Sequence, residues 1–185
     1  AEAVAEYNKV SGTTARKLLE CPKPTIAMIR GFCMGGGLGT ALTCDLRICA
    51  DDARFGIPAG KLGVGYKYSA LKRLVDIVGP ANTAEIFYTA RQFDAQEAKD
   101  MGRVNRVLAA DKLEAYVAGY VSTIGVNAPL TLKAVKACLN ESAKDDSRRD
   151  HALCERVVDD CFASADYTEG RTAFMEKRKP VFMGR

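Results

Sequence analysis

The chain has 185 residues, 48% of them hydrophobic, and its 27 basic and 23 acidic side chains leave a net charge of +4. That length suits one well-buried core or one domain with a helical appendage, and the mild charge, without aromatic interleaving or a recognisable motif, argues against nucleic-acid binding. No apolar run reaches the roughly 18 residues a membrane-spanning helix needs, and the polar residues 1–9 lack a signal-peptide pattern, so the sequence reads as a soluble, cytoplasmic protein.

A polar helix is expected up to about residue 20, where Cys21-Pro-Lys-Pro24 breaks the chain. Residues 25–32 form a continuous apolar run, as in a strand covered on both faces. The triplet Gly35-Gly36-Gly37 follows, and residues 38–45 read as a short buried helix. A strand, a glycine-only turn and a helix start gather several backbone N–H groups that no side chain shields. Such a place stabilises negative charge, either a phosphate or a carbonyl oxygen that becomes an oxyanion during reaction.

Further strands are expected at 46–50 and 54–58, separated by the turn Asp51-Asp52, and residues 61–69 read as a Gly/Tyr-rich loop of the kind that often carries function. Helices follow at 69–78 and 81–89, split by Gly79-Pro80. Asp94-Ala-Gln-Glu97 has the capping-box pattern, its helix stops at Gly102, and 104–108 is a last strand. This alternation argues for an α/β fold with a mostly parallel sheet and crossover helices over residues 1–110.

Residues 111–185 read as entirely helical. Asp111-Lys-Leu-Glu114 is a second capping-box pattern, ahead of a face made by Leu113, Tyr116, Val117, Tyr120, Val121 and Ile124. Pro129 opens a helix expected to bury Leu132, Val135, Ala137 and Leu139. A third carries Leu153, Val157, Val158, Cys161 and Phe162, and Asp166-Tyr-Thr-Glu169 is expected to cap the last, which bears Phe174 and Lys177. So many apolar stripes need a partner surface, on the chain's own core or on another subunit.

The remaining polar residues divide into candidates and structural groups. Seven cysteines with no Cys-x-x-Cys pair read as reduced core residues, neither a disulfide framework nor a metal site, with Cys33 the one to check for reactivity. Asp45 is expected to cap backbone or to pair with Arg47 or Arg54, and His151 to lie on the surface. Lys177-Arg178-Lys179 makes either a solvated basic face or a local anion site.

Together, the strand ending in Gly31-Phe32, the glycine triplet, Cys44-Asp45-Leu46, Ala53-Arg-Phe-Gly-Ile-Pro58, Leu62-Gly63, Ala95-Gln-Glu-Ala98, Met101-Gly102, Val104-Asn105 and Glu169-Gly-Arg-Thr-Ala-Phe-Met-Glu-Lys-Arg-Lys179 resemble the enoyl-CoA hydratase/isomerase (crotonase) superfamily. The match covers nearly the whole chain. It implies a ββα-spiral, acyl-CoA-binding core in residues 1–110 whose N-terminal part is missing here, and a C-terminal helical trimerisation region in 111–185. It also implies trimers or hexamers, acyl-CoA thioester substrates, and no cofactor beyond the CoA that the substrate carries.

The resemblance assigns the Gly36 N–H to one half of an oxyanion hole for a thioester enolate. Phe174 falls where the family places an aromatic against adenine, and Lys177 where it places a lysine near the CoA phosphates. The two glutamates with which family hydratases move protons fall at Gly39 and Ala59, neither of which can do so. No Ala-Gly-x-Asp loop, the family's source of the second oxyanion donor, occurs in the chain, which is therefore expected to be a fragment. In place of the glutamates, Tyr66 and then Tyr68 are candidate proton donors, or else walls of an apolar acyl pocket. A catalytically inactive CoA-ligand-binding or assembly subunit of the same fold is the alternative.

Overall fold

A computed structural model describes residues 2–185. Two compact units emerge: one runs to Glu20 and from Thr25 to Val117, the other comprises Cys21–Pro24 and Ala118–Arg185.

The first unit opens with α1 (Glu2–Leu19), followed after the proline break by β1 (Ile26–Ile29) and β2 (Phe32–Met34). The single strand expected over 25–32 is thus two. Gly31 has φ +57°, a left-handed conformation that only glycine adopts without strain, and it turns the chain out of one sheet and into another. β2 runs straight into α2 (Gly35–Thr43), with Gly35 at φ +48° making the second turn.

β3 (Leu46–Ala50) then pairs in parallel with β1, Ile26 opposite Leu46, and β6 (Arg106–Leu108) adds in parallel on its other side. The second sheet joins β2 in parallel to β4 (Arg54–Gly56), and β4 antiparallel to β5 (Phe93–Asp94). Between β4 and β5 lie α3 (Ala59–Leu62) and the long α4 (Tyr68–Thr89), broken at Gly79 as the Gly79-Pro80 pair predicts. The loop expected over 61–69 is accordingly shorter, because Lys61 and Leu62 belong to α3, and Tyr68 and Ser69 begin α4.

α5 (Ala95–Asp100) carries the predicted capping box: Glu97 N–H donates to Asp94 Oδ1 at 2.8 Å and Asp94 N–H to Glu97 Oε2 at 2.9 Å. Leu38, Cys49, Phe55, Leu74, Ile86 and Phe93 centre the apolar core.

α6 (Leu113–Gly125) carries the chain into the second unit, which holds α7 (Pro129–Ser142), α8 (His151–Phe162) and α9 (Ala165–Met175). Its apolar stripes are not covered as expected. Val135 and Leu139 are more than half exposed, and α7 instead buries Ala134, Lys136 and Glu141. Val135, Leu139, Val158, Phe162 and Phe174 line an open groove of about 910 Å³.

The cap of α9 is also displaced from its expected position. Ser164 is the N-cap and accepts from Tyr167 N–H at 3.1 Å. Asp166, buried in the first turn, accepts from Met183 and Gly184 N–H at 2.7 and 2.8 Å and so ties down the C-terminal tail.

One buried group in the first unit runs against ordinary packing. Arg103 is 1% exposed, and its Nε, Nη1 and Nη2 have no hydrogen-bond partner among the described residues. Its guanidinium lies 5.6 Å from the Phe55 ring centre and 5.5 Å from that of Phe93. Two such ring contacts return about 1–2 kcal/mol each, against an effective desolvation penalty of several kcal/mol for a buried ion. Burial accordingly lowers its pKa to about 10. The unfolded chain holds the proton to higher pH, so the penalty is full at neutral pH and is relieved only as pH rises through about 10. Arg103→Met is therefore expected to raise stability by about 1–3 kcal/mol at pH 7, read as a higher urea midpoint at unchanged m-value; an unchanged or lower midpoint would show that the charge is compensated.

Candidate active site

The predicted glycine turn and helix start stand where β2 ends. Met34 is the N-cap of α2 and supplies no side-chain hydrogen bond, so the first-turn N–H groups are left without a side-chain cap. Gly36 and Gly37 are exposed, while Leu38, next along, is 1% exposed in the core. Among the described residues, no atom outside the neighbouring backbone lies within 4 Å of where a Cβ on Gly35, Gly37 or Gly39 would stand. Among the described residues, Gly35, Gly37 and Gly39 thus leave one edge of α2 without side-chain cover.

The far end of α2 is clamped. Arg73 Nη1 donates to the Leu42 carbonyl at 3.1 Å, and Arg47 Nη1 to the Cys44 carbonyl at 2.8 Å. Cations at a helix C-terminus complement its partial negative charge. Arg47 also donates through Nε to the Arg103 carbonyl at 2.6 Å, and Asn105 Oδ1 accepts from Arg47 N–H at 2.8 Å. Burial lowers the pKa of both Arg47 and Arg73. Arg47 is expected from the sequence only as a partner for Asp45, and its position inside the apolar stretch Leu46-Arg-Ile-Cys-Ala50 is what marks it for burial. Asp45 itself takes the backbone-capping role: Oδ2 accepts from Thr25 N–H at 2.6 Å and from Thr25 Oγ1 at 2.8 Å, while Asp45 N–H donates to Thr25 Oγ1 at 3.0 Å.

The other candidates in this unit differ in setting. Gly39 lies within α2 and Ala59, 7% exposed, opens α3, so no carboxylate stands at either position. The Tyr66 ring packs edge-on against Phe87 with centres 4.7 Å apart and remains 36% exposed, whereas Tyr68, at the start of α4, is 73% exposed. Cys33 is buried, and burial outweighs the neighbouring Arg103 charge to push its thiol up, away from reactivity.

Phe174 and Lys177 belong to the second unit. Phe174 is 82% exposed at the edge of the apolar groove. Lys177 follows α9 at φ +54°, and among the described residues its ammonium makes no hydrogen bond or ion pair. Its neighbour Arg178 is engaged: Nη1 and Nη2 meet the Glu169 carboxylate at 2.6 and 2.8 Å, and Nε meets Glu176 at 2.6 Å. Within the basic segment, Arg178 thus belongs to the fold. His151 lies exposed in the first turn of α8, as expected.

The family model described as enoyl-CoA hydratase/isomerase matches residues 2–185. The chain belongs to that family. This enoyl-CoA hydratase/isomerase family member is 34% identical over 180 residues to the crotonyl-CoA hydratase of Syntrophomonas wolfei, a match covering 97% of this chain and 69% of that protein. It is 36% identical over 169 residues to a mitochondrial Delta(3,5)-Delta(2,4)-dienoyl-CoA isomerase of Dictyostelium discoideum, of whose length it spans 57%. Among solved structures, an enoyl-CoA hydratase from Bacillus anthracis superposes with TM-score 0.92 at 30% identity, over all of this chain and 72% of that one. An enoyl-CoA hydratase/carnithine racemase from Magnetospirillum magneticum gives 0.91 at 36%, over all of this chain and 68% of that one. The fold of this family member is thus the α/β crotonase fold.

The Glu169 contacts carry a pH prediction for its C-terminal segment. The Arg178 guanidinium first, and the Val181 N–H bonded at 2.8 Å second, lower the Glu169 pKa to about 2. A depressed carboxylate stabilises the fold above its unfolded pKa and loses that contribution as pH falls through the folded one. The Val181 amide resonance is therefore expected to hold its position through the ordinary glutamate range and to shift only as pH approaches 2; a midpoint near 4.5 in NMR titration would contradict the bidentate pair.

Proposed function

We propose that this chain acts on acyl-CoA thioesters, with the Gly36 N–H receiving the thioester oxygen as an enolate forms. The uncapped, exposed first turn of α2 carries this reading. Backbone donors of this kind, fixed before the reaction begins, stabilise developing negative charge without reorganising. Family membership supports thioester chemistry, and the relatives' additional length is where a second donor would come from.

Proton transfer falls to the segment before α4, with Tyr66 the first candidate and Tyr68 the second. On this reading Phe174 stacks against adenine and Lys177 meets the CoA phosphates. The uncovered apolar positions of the helical unit support assembly into a trimer or hexamer. Seven free cysteines suit the reducing cytoplasm. A second reading, an inactive CoA-ligand-binding or assembly subunit, is favoured by Gly39 and Ala59, since loss of acid–base groups removes about 10²–10⁴-fold of rate.

Turnover of crotonyl-CoA and a wider acyl-CoA panel by the natural polypeptide, followed by mass spectrometry for hydration, isomerisation, hydrolysis and decarboxylation, separates the two. Binding without turnover selects the subunit reading. For an active protein, Gly36→Pro replaces the proposed donor N–H with a ring carbon at the second position of α2 and is expected to lower kcat/KM about 10²–10³-fold. Tyr66→Phe, which keeps the ring on Phe87, is expected to lower kcat about 10²-fold or more; full activity in that variant would leave the ring a pocket wall.

A further inference from the structure

Residues 176–185 fold back along α9. Arg178 N–H donates to the Ala173 carbonyl at 3.0 Å, Val181 N–H to Glu169 Oε1 at 2.8 Å, and Met183 and Gly184 N–H to the Asp166 carboxylate at 2.7 and 2.8 Å. The acceptors step back along the helix as the tail advances. Phe182 lies against Gly170, its Cε1 3.5 Å from where a Cβ there would stand.

The chain reverses at Lys177. Its φ of +54° is left-handed, and its N–H donates to the Phe174 carbonyl at 3.2 Å. Glycine is the usual residue at such a helix end, because a Cβ there is strained. Strain of this kind persists only where the surroundings over-determine it, and it gathers at ligand sites. Here one carboxylate does most of the holding. Glu169 takes Arg178 Nη1 and Nη2 at 2.6 and 2.8 Å as well as the Val181 N–H, so it grips the chain on both sides of Lys179-Pro180. Arg178 Nε meets Glu176 at 2.6 Å, so the residues flanking Lys177 are bonded to each other. Among the described residues the Lys177 ammonium, exposed between them, is left uncommitted.

We propose that Glu169 and Arg178 are positioning residues, whose bidentate pair holds Lys177 left-handed and so presents its ammonium to the phosphates of CoA; this rests on the reading of Lys177 as the phosphate contact. Neither residue touches the ligand. Lysine is a point charge on a flexible four-carbon stem, so its hold on a phosphate depends on where the backbone beneath it is fixed. A bidentate arginine–carboxylate pair supplies geometry as well as charge. Without it Lys177 relaxes to an unstrained conformation, and binding must then supply the ordering itself.

Titration of the natural polypeptide with CoA, and with pantetheine, which lacks the phosphates, tests the pair. Lys177→Ala is expected to weaken CoA about 3–10-fold and to leave pantetheine unchanged. Glu169→Gln keeps the size of the side chain and an acceptor for Val181 but loses the charge that pairs with Arg178. It is expected to weaken CoA alone, and to add nothing to Lys177→Ala in the double variant, as a residue acting through another must. Loss of CoA affinity in Lys177→Ala with none in Glu169→Gln overturns the positioning role and leaves the lysine contact standing. No loss in Lys177→Ala removes the phosphate reading, and the positioning role with it. Equal weakening of pantetheine by Glu169→Gln, or full additivity in the double variant, makes the pair a general support of the fold and overturns the proposal. Lys177→Gly covers the case in which Glu169→Gln folds poorly: glycine takes the left-handed conformation freely, so the urea midpoint is expected to rise while CoA weakens. A lower midpoint shows that there is no strain to hold, and equally overturns it.

Discussion

Thr25 and Asp45 hold each other at the starts of β1 and β3, and the proposed oxyanion turn depends on that lock. The Asp45 carboxylate takes the Thr25 N–H and hydroxyl, the Thr25 hydroxyl takes the Asp45 N–H, and Leu46 N–H completes the set on the Thr25 carbonyl at 3.0 Å. The register of β1 against β3 follows, Ile26 opposite Leu46 and onward. Everything from Arg30 to Cys44 must then fit between two fixed strand ends. The chain does so by turning at Gly31, pairing β2 with β4 and turning again at Gly35, which leaves α2 entering the core at Leu38 with its first turn exposed.

The clamp on α2 is built from charge that the core must accommodate. Arg47 and Arg73 meet carbonyl oxygens at the end of the helix, where the peptide dipoles favour a cation, and those bonds offset part of their desolvation. Arg103 shows the contrast. Its backbone carbonyl serves Arg47, but its guanidinium has aromatic faces and no hydrogen-bond acceptor among the described residues. The same region therefore contains two arginines that position the helix and one whose burial runs against stability.

Features governed by local chemistry were legible in the sequence. The span of β3, the Gly79 break and the Asp94–Glu97 box all depend on residues within a few positions of one another. The split of the apolar run at Arg30-Gly31 was not legible, because hydrophobic periodicity reports burial and says nothing of which sheet a residue joins. The role of Asp166 was not legible for a related reason. An Asp-x-x-Glu pattern resembles a cap, yet Ser164 stands two residues earlier, and the groups that Asp166 binds are at the other end of the segment, in Met183 and Gly184. Within the candidate site, the glycine turn was readable, whereas the arginines behind it answer to carbonyls reached only through the fold.

Gly39 sharpens what that turn can do. It lies three residues beyond Gly36, on the same face of α2, and nothing else among the described residues fills the space a side chain there would take. On the proposed reading, the position at which the family resemblance expects a glutamate offers room among the described residues beside the N–H donor. Ala59 is different, since it is itself buried at the start of α3. Hydration needs one group to activate water and another to deliver a proton, so on the proposed reading Gly39 and Ala59 fit that reaction least. An enolate formed by decarboxylation draws its electron pair from a breaking carbon–carbon bond and asks only for a proton at the end. The more a reaction relies on the oxyanion turn, and the less on proton shuttling, the better it matches the residues that remain.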